Sequence, residues 1–211
     1  MGHTAMNSTR WFATAIACLS WAGLLLSLAI GGEGRSLAEI VVGYVSSFTI
    51  LTNLIAALVL TMIARDIRNL CRTGVLAATA IYLLVVILVY LAEFHGTLET
   101  TGIHAAPDAL IHLVVPVLFL VFWFVCVPKG SLGWTTPFSI LAFPLAYLAY
   151  MLTRGALTGV YSYPFLDAQA LGYAKVAENS LALLGVYLVL GLVFTLIDCG
   201  LSRFSRPIEV I

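Results

Sequence analysis

The sequence predicts an all-α polytopic membrane protein, a single bundle of six transmembrane helices with both termini cytoplasmic. Its 211 residues are 62% hydrophobic and 9% charged, where soluble proteins average about 25% charged. Six apolar segments, approximately 11–30, 39–64, 74–94, 108–127, 138–152 and 176–197, reach or approach the roughly 20 residues that a helix needs to cross a bilayer core of about 30 Å. Strands are excluded by segment length, because barrel strands are shorter and alternate in polarity.

An even number of spans puts both ends on one side. Arg10, Arg65, Arg68, Arg72, Lys129, Arg203 and Arg206 then share that side, and Arg35, Arg154 and Lys175 lie opposite. The positive-inside rule makes the basic side cytoplasmic, and a bacterial inner membrane is the expected location. Lys plus Arg equals Asp plus Glu at ten each, so no charge excess argues for a nucleic-acid partner. The four cysteines, Cys18, Cys71, Cys126 and Cys199, lack the paired short spacing of zinc or redox motifs, and no cofactor is expected. The polar start MGHTAMNSTR runs into a full-length apolar segment without a small-residue cleavage site, which reads as a first span rather than a removable leader.

Ser36 and Glu39 form an S-x-x-E capping box that opens the second span. That span carries SSFTILTNL, in which Ser46, Ser47, Thr49, Thr52 and Asn53 place four hydroxyls and an amide where lipid favours none. Such groups serve either as hydrogen-bonding glue between helices or as a functional site. The third span is almost pure hydrocarbon, with Ala77, Ala78 and Ala80 offering a small-residue packing face. The fourth begins near Pro107, in the first turn where a missing N–H costs nothing, and Pro116 is expected to kink it. After the fifth span, which contains Pro144, the long connection TGVYSYPFLDAQALGYAKVAENS is rich in aromatics and suits a cap at the membrane interface. No second domain or repeat interrupts residues 1–211.

An ionisable residue at membrane depth is costly, which singles out His112. It either satisfies a neighbouring helix or acts as a general base, since imidazole titrates near neutrality. Thr49 and Thr52 would supply a hydroxyl for it to activate. Helix depth opposes the pairing: at 1.5 Å per residue Thr49 lies about 18 Å from the Ser36 cap and His112 about 7 Å from Pro107. Ser46 and Ser47 would need less stagger. A second constellation, His104, Asp108 and His112 at four-residue spacing with His95 nearby, could make a zinc site, although Pro107 disfavours helical geometry at Ala106. Arg154 and Asp167 flank the long outer connection, either as a rim ion pair worth little or with Arg154 orienting a carboxylate or phosphate.

FTILTNL on span two, IHLVVP on span four and TGVYSYPFLD before the last span together resemble the bacterial six-span relatives of the androgen-induced-gene threonine lipid hydrolases, over nearly the whole chain. The resemblance implies an intramembrane hydrolase of fatty-acyl lipid esters, with a membrane lipid as substrate. It places the nucleophile on Thr49, with Thr52 in reserve, and the catalytic histidine on His112. Here Asn53 follows Thr49 by four residues and Thr52 occupies the third place, a departure from the family's spacing. Asn53 or a nearby hydroxyl is a candidate for oxyanion stabilisation. The alternatives are a non-enzymatic lipid or small-molecule binding or transport protein and a zinc-dependent intramembrane hydrolase.

Overall fold

The computed structural model describes residues 2–67, 72–94 and 105–202, all of them helical or in connecting turns, with no strand among the described residues. Five helices are long and apolar enough to cross a membrane, and a bent pair brings the number to six if it counts as one span. The chain divides into two compact units, residues 1–127 and 128–211.

The first unit opens with α1 (Gly2–Gly31), followed by α2 (Leu37–Val45), α3 (Phe48–Ala64) and α4 (Thr73–Phe94). The capping box at Ser36 is present as expected: its hydroxyl accepts from the Glu39 N–H, and the Glu39 carboxylate accepts from the Ser36 N–H at 2.8 Å. The second span, expected to be one helix over 39–64, is instead broken between Val45 and Phe48, with α2 and α3 meeting at 84°. The serines cause the break. Ser46 ends α2, and Ser47, extended at φ −105 and ψ 113, caps α3 by accepting from the Ile50 N–H. Serine hydroxyls offer the backbone an alternative to the helical ladder, and β-branched Val41, Val42 and Val45 weaken α2 on its own side of the break. The 17 residues of α3 are about 26 Å long, close to a full crossing.

Helices α1 and α3 run antiparallel. Arg10 Nε donates to the Ala64 carbonyl at the end of α3, Trp21 Nε1 to Thr61 Oγ1, and Tyr44 Oη to the Leu24 carbonyl. Small residues let the neighbouring helices approach: Ala56 and Ala57 on α3 and Ala77 and Ala80 on α4 are fully buried, as the small-residue face predicts, while Ala78 is half-buried.

The fourth span is built in three pieces: α5 (Ala105–Ala109), a π-helical turn (Leu110–Val114) and α6 (Val115–Cys126). Ala106 is helical despite preceding Pro107, because the proline sits in the first turn, where no backbone donor is required. Upstream of Pro116 the helix widens into a π turn. Gly23 on α1 admits this turn, since a Cβ there would lie 2.9 Å from Ile111 Cγ2 and 3.1 Å from Leu110 Cβ.

The second unit contains α7 (Thr136–Ser139), α8 (Ala142–Thr158), a short 3-10 turn (Pro164–Leu166), α9 (Ala168–Leu171) and α10 (Tyr173–Ser202). The fifth and sixth segments are thus longer than the expected 138–152 and 176–197. Pro144 falls in the first turn of α8 and breaks nothing. The connection between α8 and α10 folds into the short turns and is pinned by Asn179 Nδ2, which donates to the Phe165 carbonyl. Asp198, 1% exposed near the end of α10, accepts backbone N–H bonds from Gly130 and Leu132 at 2.8 and 2.9 Å. Gly130 has φ +96 and lies so close to Ser202 that a Cβ would meet the Ser202 Cβ at 2.8 Å. Asp198→Ala removes a charged acceptor serving two donors, each bond contributing about 1.5–3 kcal/mol. We therefore expect a clear fall in thermal stability for Asp198→Ala and a much smaller one for Asp198→Asn, which keeps an acceptor oxygen. Equal melting temperatures for the native chain and Asp198→Ala would contradict this role.

Candidate functional site

Asn53 of span two meets the turn that carries His112 in the first unit, through two local departures from α-helical geometry. The bend at Ser46–Ser47 is the first. With α2 turned aside, Thr49 is the second residue of α3 rather than the eleventh of a continuous helix from Glu39, so its distance from the Ser36 cap no longer measures its depth against His112. The π turn is the second. The Val115 N–H, which in an α-helix would reach the Ile111 carbonyl, bonds to the Leu110 carbonyl instead. The next donor that a π-helix would offer Ile111 belongs to residue 116, a proline without an N–H.

The Ile111 carbonyl is therefore left without a donor from its own helix, and Asn53 supplies one. Asn53 Nδ2 donates to the Ile111 carbonyl at 2.8 Å and to the Thr49 carbonyl at 2.9 Å. One amide group thus ties the first turn of α3 to the turn that carries His112. Asn53 is fully buried; its Oδ1 has no hydrogen-bond partner among the described residues, and its own carbonyl accepts from Ser20 Oγ at 3.4 Å. Because both Nδ2 hydrogens are taken, Asn53 has no donor left for an oxyanion, and it supports the site by holding two helices in register.

The hydroxyls divide by the same accounting. Thr52 is fully buried and donates to the Thr49 carbonyl at 3.0 Å. Ser46 is buried at the break, and Ser47 serves as the α3 cap. Thr49 is half-buried, and neither its hydroxyl nor its N–H makes a hydrogen bond among the described residues. The sequence ranked Thr49 first by resemblance; packing gives a physical ground for preferring it to Thr52.

His112 sits in a partly open setting. Its side chain is 21% exposed and that of Asp108 20%, with Nδ1 2.9 Å from Asp108 Oδ1 and 3.1 Å from the Asp108 carbonyl oxygen. Tyr90 on α4 donates its hydroxyl to Asp108 Oδ2 at 2.6 Å, and its ring stacks on the imidazole at 4.6 Å between centroids and 15° between planes. Tyr90 was not singled out by the sequence, which gave α4 a packing role. Its one available signal is a phenol in a hydrocarbon helix, where a buried tyrosine hydroxyl needs a partner.

Asp108 and His112 do lie on one helical face, as the four-residue spacing predicts, but they bond to each other. His95 and His104 lie outside the described residues, and no group of three potential metal ligands occurs among the described ones. Arg154 and Asp167 belong to the second unit and make no ion pair with each other. Arg154 donates to the Val160 carbonyl at 3.0 Å, and Asp167 caps α9 by accepting from the Gln169 and Ala170 N–H groups.

A cavity of about 170 Å³ lies between α1 and α2, with Gly31, Gly43, Tyr44 and Ile50 among its lining residues. Ile50 directly follows Thr49, so the cavity adjoins the first turn of α3. No family model matches the chain, and neither does any curated protein or solved structure.

Proposed function

We propose that this integral membrane protein hydrolyses lipid esters of the fatty-acyl class, with Thr49 as nucleophile and His112 as general base. The observation that carries the reading is the placement of an uncommitted threonine hydroxyl one bridging amide away from a turn whose histidine already bonds a carboxylate. Thr49 Oγ1 attacks the ester carbonyl carbon while its proton passes to the imidazole. Collapse of the tetrahedral adduct breaks the bond to the alcohol oxygen, which takes that proton and leaves. Water then attacks the acyl-threonine, gives a proton to His112 and releases the fatty acid as Thr49 recovers its hydrogen. The Thr49 N–H, in the first turn of α3, is the backbone donor suited to the oxyanion. The cavity beside Ile50 gives part of the substrate room next to the nucleophile.

A second reading, a non-catalytic lipid or small-molecule carrier, draws on the broken α2–α3 span, because discontinuous helices build the binding sites of many transporters. An alkyl fluorophosphonate separates the two. The hydrolase should form a covalent adduct on the 46–53 peptide that disappears in Thr49→Ala, whereas a carrier gives none. We also place the termini in the cytoplasm of a bacterial cell, on the distribution of Lys and Arg. A C-terminal phosphatase fusion should then be inactive; an active fusion overturns the orientation.

A further inference from the structure

The geometry points to Tyr90 as a positioning residue that works through Asp108 to fix the tautomer and orientation of His112, leaving Nε2 as the basic nitrogen. The inference rests on the hydrolase reading for its catalytic consequence and on geometry alone for its structural one.

The Asp108 backbone carbonyl, 3.1 Å from Nδ1, can only accept a hydrogen bond. Nδ1 must therefore carry hydrogen in that contact, shared with Oδ1 at 2.9 Å. The neutral imidazole then has its lone pair on Nε2. Such an arrangement holds only while Asp108 is an acceptor on Oδ1; a protonated Asp108 could donate to Nδ1 and drive the hydrogen to Nε2. Tyr90 opposes this. Its hydroxyl donates to Oδ2 at 2.6 Å, which holds Oδ2 as the acceptor there and leaves Oδ1 facing Nδ1. The bond fixes the rotation of the carboxyl group, and with it which oxygen Nδ1 meets.

The ring of Tyr90 contributes separately. Lying 15° from coplanar with the imidazole at 4.6 Å, it blocks the half-turn about χ2 that would put Cδ2 in the place of Nδ1 and Cε1 in the place of Nε2. The carboxylate alone does not prevent that turn. One residue on α4 thereby sets both the protonation pattern and the orientation of a base on the π turn.

The two contributions separate by substitution. Tyr90→Phe keeps the stack and loses the hydroxyl; Tyr90→Leu loses both. Nitrogen-15 NMR of histidine-labelled protein in micelles, at a pH above the imidazole titration, reads the tautomer of His112 without requiring any activity. Assignment follows from the signal lost in His112→Gln. The native chain should show the Nδ1–H tautomer alone. Tyr90→Phe should show a substantial Nε2–H population, and Tyr90→Leu should add exchange broadening from ring reorientation. An unaltered Nδ1–H signal in both variants would overturn the inference. Should Tyr90→Leu fail to fold, the nearly isosteric Tyr90→Phe carries the test alone. Ester turnover in Tyr90→Phe should fall about tenfold to a hundredfold in kcat with KM unchanged, less than the ~10⁴ lost when the orienting carboxylate of a catalytic triad is replaced by an amide. A shifted tautomer in a native chain that turns over no ester sustains the Tyr90 role and removes the hydrolase reading. Native turnover with an unshifted tautomer in Tyr90→Phe does the reverse.

Discussion

We expect His112→Ala and Thr49→Ala each to lose at least about 10³-fold in lipid-ester turnover while retaining the melting temperature of the native chain to within a few degrees. The first removes the proton acceptor, and general-base catalysis alone contributes about 10² to 10⁴. The second removes the atom that forms the covalent bond in the proposed mechanism. Because nucleophile and base act as a unit, the double variant should be hardly worse than either single one. The stability half of the prediction follows from the partners: Thr49 Oγ1 makes no hydrogen bond among the described residues, and His112 lies partly open. Asp108 would still accept from Tyr90 in His112→Ala. Turnover in Thr49→Ala at the native rate, measured on a long-chain fatty-acyl ester in micelles, would transfer the role to another hydroxyl or end the threonine mechanism. Thr52→Val is the control. Its hydroxyl is buried and bonded to its own helix, so activity should persist.

The second large effect is structural and centres on Asn53. Asn53→Ala leaves the Ile111 carbonyl without a donor in a buried site, a penalty of about 1–3 kcal/mol, and adds the cost of the vacated amide volume. The signature of this role is coupling to Pro116. In Pro116→Ala the backbone at 116 regains an N–H, which a π turn directs to the Ile111 carbonyl and an α turn to that of His112. In the second case the turn tightens and Val115 returns to Ile111. Either way Ile111 recovers a partner within its own helix. A double-mutant cycle should therefore show Asn53→Ala costing appreciably less in the Pro116→Ala background than in the native one. Strictly additive losses would mean that the amide does not compensate for the proline. If the π turn relaxes, His112 also rotates away from its present direction, so Pro116→Ala should lose turnover even where it folds well. A π turn at a functional site is a recurrent device, and here its origin can be traced to one missing hydrogen.

The site was only partly legible in the sequence. SSFTILTNL announces itself because polar atoms in an apolar segment demand partners, and His112 because a titratable ring at depth demands a reason. The identity of those partners was not legible. Asn53 looked like an oxyanion donor until both its hydrogens were accounted for on two helices. Asp108 was a member of the alternative zinc set, and its oxygens lie on Tyr90 and His112. Arg154 and Asp167, which flank the outer connection in the sequence, serve separate turns.

By itself the sequence determined the membrane class, the approximate helical segments, the capping box at Ser36 and the small-residue faces at Ala77 and Ala80. These depend on composition and on spacings within one helix, where hydropathy and local hydrogen bonding decide the outcome. The tertiary structure alone decided which partners the groups at the bend and the π turn reach: the Ile111 carbonyl meets Asn53, and Asp108 and His112 meet Tyr90. Each of these contacts joins a polar group of one helix to a partner on another. In an apolar medium such a polar group must find a partner, but only the packing of the helices determines which partner is within reach.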